Sequence, residues 1–378
     1  MNDLGPSRSR ALSARRNGRA AAAAAVAGRK IESSAICRDK GCGLAYDALM
    51  KAAVHGEYGP PDVVRVADVE KPPVGDKDVF IRVHATTVNR TDCGYRTAKP
   101  FFIRVVSGLV RPRRTILGNE FAGVVEAVGG GVASFTAGDR VFGYNEGAFG
   151  AHAEYLSVPE DGMIAAIPAG MAFAEAAPAT EGSHYALSSI RTAKVEAGQV
   201  VLVYGATGAI GSAAVQLLKS LDATVTAVCD TAHLEMVRGL GADRVVDYTA
   251  QDFTEDEQRY DLVLDAVGKS TFGRCKRLLK PRGVYMSSEL GPWWQNLVLT
   301  LVTPLLGGKR VKFGYPQEGR EVMRHLRELL ESGQFRPVID RRYPLDRIVE
   351  AYRYVETGQK VGNVVIDVVP PGTFTAST

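Results

Sequence analysis

Three glycines stand three residues apart in the segment VVLVYGATGAIGSAAVQLLKSL, directly after an apolar run: Gly205, Gly208 and Gly211. A strand that ends in such a turn and opens a helix can hold a diphosphate. Gly205 makes the tight turn, Ala206, Thr207 and Gly208 let bare backbone approach a pyrophosphate, and Gly211 lets the helix pack closely on the strand. The first helical residues, Ala209 and Ile210, then offer unpaired N–H donors and the partial positive charge of a helix N-terminus. Dinucleotide binding is the expectation at residues 205–211.

An acid, Asp230, follows 19 residues after Gly211 at the end of the next apolar run. A carboxylate there accepts both ribose hydroxyls of an adenosine and repels a 2′-phosphate. No Lys or Arg follows until Arg238, so the expected cofactor is NAD(H) or NADP(H) with a slight lean to NAD(H). The same carboxylate would equally serve as N-cap of a helix beginning at Ala232. Ala266 and Val267 in LDAVG, and Ser287 in SSE, end two further apolar runs. Carboxyl edges of open α/β sheets hold ligands, and these three residues read as cofactor contacts or as ordinary strand-end turns.

The elements that must position these residues fall into two kinds. From Met50 to about Phe173, short β-rich runs (Asp78–Val88, Glu120–Val128, Asp139–Tyr144, Ala153–Pro159) are broken by Gly and Pro and suggest a barrel-like unit. Beyond it, Val- and Leu-rich strands alternate with helices at Ala209–Leu221, Ala232–Leu240 and Thr271–Leu279, the pattern of a parallel sheet covered on both faces. Helices at Gly319–Glu331 and Asp346–Thr357 and a strand NVVIDVV close the chain. The fold class is α/β.

Composition sets the limits. The 378 residues suggest about two domains. The net charge of +4 belongs to residues 1–49, which hold nine Lys or Arg against four acids and leave 37 against 38 from Met50 onward. A near-neutral body excludes a large nucleic-acid footprint. Five cysteines are too scattered for a disulfide framework or a zinc knuckle, and a reducing, cytoplasmic compartment fits them. No apolar run is long enough to span a membrane. The Arg-, Ala- and Ser-rich residues 1–49 read as a disordered basic extension, with an organelle presequence as the alternative.

The motifs VNRTDCGYR, LGNEFAGVVEAVGGGVASFTAGDRVFG, GATGAIGSAAVQLLKSL and RPVIDRRYPLDRIVEAYRYVETGQKVGNVVI, in this order, carry a further reading. From Met50 to about Val369 the chain resembles the medium-chain dehydrogenase/reductase superfamily and, within it, the zinc-independent quinone oxidoreductase-like branch. The resemblance implies a GroES-like β-barrel domain over 50–173 and 315–370, a Rossmann doubly wound domain over 174–314, and a flexible tail at 371–378. It also implies a small-molecule substrate and a homodimer.

Zinc members of this superfamily carry Cys, His and Cys ligands where this chain has Asn89, Asn119 and Thr180. No zinc is therefore expected. A substrate carbonyl is then polarised by hydrogen bonds, which suits a quinone or an α,β-unsaturated carbonyl; the alternatives are a metal-free alcohol or aldehyde oxidoreductase and a non-catalytic nucleotide-binding sensor or scaffold. By the same resemblance Asn89 lies beside the nicotinamide. Tyr95, then Tyr144, are the candidate proton donors, and His184 is a ribose contact, a proton shuttle near neutral pH, or a packing residue. Asp92 and Arg96 read as a structural pair. The apolar stretch with Trp293 and Trp294 is expected to be a buried helix facing the other domain or a second subunit, with a pocket cover and shallow membrane contact as alternatives.

Overall fold

The computed structural model describes residues 48–314 and 319–369. The basic extension up to residue 47 and the tail from residue 370 lie outside the described residues, as do residues 315–318. Strands β1 (Leu49–Val54) and β2 (Arg65–Glu70) form an antiparallel ladder. Next come β3 (Asp78–Val88), helices α1 (Arg90–Thr97) and α2 (Ile103–Ser107), then β4 (Glu120–Val128), β5 (Arg140–Tyr144), β6 (Tyr155–Pro159) and β7 (Met163–Ala166). Both long strands have the bounds expected from their β-rich runs, and Val79, Ile81 and Val83 of β3 are fully buried.

Helix α3 (Glu181–Ala193) leads into the second sheet. Its strands are β8 (Val200–Tyr204), β9 (Thr224–Cys229), β10 (Arg244–Asp247), β11 (Tyr260–Asp265), β12 (Leu279–Ser287) and β13 (Arg310–Val311). Helices α4 (Ala209–Lys219) and α5 (Leu234–Gly239) follow β8 and β9. The order is β10-β9-β8-β11-β12-β13, parallel throughout, so the carboxyl ends of β8 and its neighbours share one edge. Val201, Leu202 and Val203 are buried on both faces, as a covered parallel sheet requires. The helix expected over Thr271–Leu279 is only four residues of α-helix (Phe272–Cys275) before a 3-10 turn.

The chain then returns to the first sheet. An apolar stripe of Val322, Met323, Leu326, Leu329 and Leu330 packs α-helix Arg320–Glu331 inward. Strands β14 (Ile339–Pro344) and β15 (Asn363–Asp367) complete a sheet of order β14-β15-β3-β4-β5-β7, with β6 on β3. All the described elements belong to one compact unit, and a single apolar cluster runs from Phe142 and Tyr144 through Ala186 and Ile190 to Val203 and Ala214.

Within the single chain the helix Gln295–Val302 and the preceding tryptophans are not covered by the rest of the fold: Trp293 is 99% exposed, and Val298 and Leu301 also face outward, so burial against the other domain, one of the two expected positions, does not hold. Periodicity alone marks an apolar face without saying what covers it. Among the described residues no helix is long and apolar enough to cross a membrane.

Candidate functional site

The glycine-rich turn sits at the carboxyl end of β8. Gly205 has φ +83°, and a Cβ there would lie 2.8 Å from Cβ of Val267. A Cβ on Gly211 would lie 2.1 Å from the Gly205 carbonyl oxygen, so only glycine lets α4 pack this closely on the strand. Gly208 is different. It is the N-cap of α4, supplies no side-chain cap, and a Cβ on it would meet only the Gly205 oxygen at 3.6 Å. Open space thus faces the uncapped first-turn amides of Ala209 and Ile210, a cradle that fits a diphosphate.

The turn is tied to the first sheet from behind. Gly362 N donates to the Thr207 carbonyl at 2.6 Å, and Gly208 pairs with Gly362 in a parallel bridge.

Asp265, at the end of β11, shapes the next loop. Its Oδ1 accepts from Gly268 N at 2.8 Å, its Oδ2 from Ser270 N at 2.8 Å, and Ala266 N donates to the Tyr204 carbonyl. Ala266 and Val267 therefore stand beside Gly205. Ser287 ends β12, where its hydroxyl accepts from Glu289 N at 3.2 Å. Asp230 follows β9 on the same edge. It makes no side-chain cap to the helix after it; its Oδ1 instead meets His233 Nδ1 at 2.5 Å. A count of Lys and Arg misses this partner.

Asn89 lies in a buried polar network. Its Nδ2 donates to Glu120 Oε2 (2.7 Å), Glu181 Oε2 (3.1 Å) and Thr87 Oγ1 (3.1 Å), while its backbone N–H donates to Asp92 Oδ2 (2.8 Å) and starts α1. Glu120 also accepts from Thr87 Oγ1, Thr180 N, Thr180 Oγ1 and Glu181 N. Burial pushes the carboxyls of both acids up, and Glu181 well above its ordinary value, because Glu120 adds like charge. Five donors surround Glu120, whereas Glu181 accepts, among the described residues, only from Asn89 Nδ2 and Thr91 Oγ1, so the upward push is stronger on Glu181. The Lys360 ammonium, pulled down by burial, donates to the Gly362 carbonyl at 2.5 Å. This links the acid pair to the back of the glycine turn. Neither acid nor the lysine was singled out in the sequence; the available signal was that Glu120 and Glu181 directly follow Asn119 and Thr180, two positions that lack zinc ligands.

Asn119 stands out for what it lacks. Its side chain is buried, and neither Nδ2 nor Oδ1 has a hydrogen-bond partner among the described residues. Both ends of this buried amide are therefore open to a hydrogen-bonding partner from outside the chain, a water or a ligand.

The other candidates divide. Tyr144 and His184 are neighbours, with ring centroids 5.5 Å apart, and His184 also meets Tyr185, whose hydroxyl donates to Glu146. Burial pushes the His184 imidazole down to about 4, so near pH 7 it is the neutral ring, with one nitrogen donating and the other accepting. Burial raises the Tyr144 phenol well above its usual range. Tyr95 lies apart, edge-on to Phe149 at 4.6 Å, in a cavity of about 270 Å³ that His55, Val106, Arg113 and Leu117 also line. Burial and the Glu146 charge raise its phenol. Asp92 and Arg96 are structural but do not pair: Asp92 accepts from Asn89 N and Gly118 N, and Arg96 holds the Gly59 carbonyl and Glu356.

Comparison with known proteins follows the same lines. Residues 75–169 match the alcohol dehydrogenase GroES-like domain and residues 240–366 the zinc-binding dehydrogenase family. The 2-methylene-furan-3-one reductase of Solanum lycopersicum is 32% identical over 351 residues, covering 89% of this chain and 84% of the relative. A chloroplastic NADPH-dependent alkenal/one oxidoreductase of Arabidopsis thaliana is 30% identical, covering 85% and 80%. The quinone oxidoreductase structure from Coxiella burnetii superposes with a TM-score of 0.77 at 26% identity, covering 85% of this chain and 100% of that one. Among the described residues no group of three or more His, Cys, Asp or Glu could hold a metal ion.

Proposed function

The chain belongs to the medium-chain dehydrogenase/reductase superfamily and is an NAD(P)-dependent oxidoreductase, and from that premise we propose that it reduces a quinone or an α,β-unsaturated carbonyl compound without a catalytic metal. The observation that carries the reading is the side-chain chemistry at the three positions where zinc members have ligands. Asn89 is engaged with two glutamates, Thr180 donates to one of them, and Asn119 keeps a buried free amide. A metal-free site must polarise a carbonyl with a hydrogen bond, and Asn119 Nδ2 is a buried donor available for it.

The residues of the Gly205–Gly211 turn, with Asp230, Ala266, Val267 and Ser287 along the same sheet edge, would hold the dinucleotide. When bound, the reduced nicotinamide supplies a hydride. The chain's own part is to bind, orient and provide a proton. Asn89 is held rigidly by Glu120 and Glu181 and fixes the start of α1. Tyr95, kept protonated by burial beside Glu146, is the proton donor we favour, because it lines the cavity of about 270 Å³. Hydride addition to the conjugated system and one proton from this phenol, or from water through it, give the reduced product.

Asp230 supports a lean to NADH, moderated by His233 at 2.5 Å. The small thiols Cys93, Cys229 and Cys275 are free and buried, which supports a cytoplasmic site of action; import through residues 1–49 is the alternative. Association as a homodimer remains the expectation from the family.

The test is NADH and NADPH consumption with benzoquinone and with a short enone, before and after exhaustive chelation. Turnover that survives chelation is expected. Loss of activity together with recovery of zinc from the protein would contradict the proposal.

A further inference from the structure

Two surface segments carry an unusual share of the exposed apolar area. Of the 18 exposed large hydrophobic side chains among the described residues, 14 lie in residues 101–110 or 293–306. In the first segment Val105 and Val106 of α2 are exposed together with Phe101 before the helix and Leu109 and Val110 in the turn after it. In the second, Val298, Leu301 and Leu305 are exposed after Trp293. The segments are one surface, because the rings of Phe102 and Trp294 meet edge-on with centroids 5.8 Å apart.

The charge within the two segments has one sign, while Glu146, from a different segment, lies near Tyr95 in the adjoining cavity. Residues 93–119 contain no Asp or Glu, and neither do residues 290–314. Lys99, Arg111, Arg113 and Arg114 are exposed in the first segment and Arg310 in the second. None of them pairs with a carboxylate among the described residues. Apolar side chains with paired tryptophans, edged by unneutralised cations, complement an anionic bilayer: the chains enter the acyl boundary while the cations meet the headgroups. A second copy of this chain would bring the same cations against themselves. The patch also adjoins the substrate side, since Val106 and Arg113 line the cavity that holds Tyr95.

We propose that this face seats the protein on an anionic lipid bilayer and that the compound it reduces is a lipophilic quinone or enone entering from that bilayer through the cavity beside Tyr95. The substrate half rests on the reductase reading above; the docking half does not.

The test exploits composition: Trp293 and Trp294 are the chain's two tryptophans, so tryptophan emission, excited beyond the absorption of its 14 tyrosines, reports this face alone. The full-length protein is mixed with vesicles of phosphatidylcholine, with or without phosphatidylglycerol. A blue shift and protection from aqueous quencher are expected with the anionic vesicles, weakened by salt. Trp293→Ser/Leu301→Ser/Leu305→Ser, all at exposed positions, lowers vesicle affinity roughly tenfold or more, since three large apolar groups no longer leave water. Lys99→Glu/Arg111→Glu weakens the salt-sensitive part. Pelleting with no change in tryptophan emission would place the contact on the basic extension and overturn the docking. So would tryptophans already shielded without vesicles in a stable dimer.

Activity separates the two halves. The triple serine variant keeps turnover of water-soluble benzoquinone and loses that of a long-chain quinone embedded in vesicles. If both forms turn over the long-chain quinone equally, delivery from the bilayer is refuted. If neither form reduces benzoquinone, the reductase reading fails while the fluorescence still decides the docking.

Discussion

Glu120 and Glu181 share one donor: Asn89 Nδ2 lies 2.7 Å from Oε2 of the first and 3.1 Å from Oε2 of the second. The two acids are unequal. Glu120 receives five hydrogen bonds, whereas Glu181 is pushed well above its ordinary 4.5 by burial and by Glu120. Glu120→Gln would oppose an amide NH₂ to existing donors and cost about 2–4 kcal/mol. Glu181→Gln replaces a protonated carboxyl with a neutral near-isostere and costs under about 1 kcal/mol at acid pH. A carboxyl raised in the folded state binds extra protons there, so its contribution is lost as pH rises from 4.5 toward the folded value. Urea unfolding across pH should show Glu181→Gln gaining on the wild type as pH rises.

His184 has the opposite sign. Its imidazole falls from 6.5 to about 4 in the folded protein, so the unfolded chain binds the proton better and stability is lost as pH falls from 6.5 toward 4. His184→Gln should remove a loss of about 3 kcal/mol over that window. The variant should also leave the pH profile of turnover unchanged between pH 6 and 8, checked with steady-state rates.

Asn119 separates stability from activity. Replacing its buried, unpartnered amide with leucine removes an unsatisfied polar group, and the thermal midpoint should rise, by about 1–3 kcal/mol of stability. The same Asn119→Leu should lower kcat/KM for an enone roughly 10²-fold if the amide polarises the carbonyl. Unchanged turnover would remove Asn119 from the site.

Asp230 and His233 set cofactor choice together. Asp230→Ser should move the NADPH-to-NADH affinity ratio about tenfold toward NADPH, about 1.4 kcal/mol. His233→Ala leaves the carboxylate without its 2.5 Å partner and should move the ratio the other way. Fluorescence titration with both cofactors reads both shifts.

How much of this was written locally differs between features. The glycine turn was legible because φ +83° at Gly205 and the 2.1 Å approach at Gly211 each demand glycine by position. The strands Asp78–Val88 and Glu120–Val128 were legible as β-rich runs of strand length broken by Gly and Pro. The Glu120–Glu181 pair was not, because 61 residues separate Glu120 from the Glu181 N–H that donates to it, and only the packing of residues 173–179 on β4 brings them together. His233 was overlooked because an imidazole three residues after an acid carries no formal charge in a count of Lys and Arg. What covers Trp293 was not legible, because an apolar face gives the same pattern whether protein, lipid or water lies against it.

The account depends most on the open cradle at Gly208. Its backbone conformation suits any residue, and an added Cβ meets only the Gly205 oxygen at 3.6 Å, so Gly208→Leu should fold, as a thermal midpoint close to that of the wild type would show. Its side chain would then fill the space in front of the Ala209 and Ile210 amides. Fluorescence titration of NADH into the wild type and Gly208→Leu is the direct measurement. Saturable binding by the wild type and a loss of about 100-fold or more in the variant is the predicted result, about 2.7 kcal/mol. Equal affinity in the two proteins would show that the dinucleotide does not lie against this turn and would contradict the account.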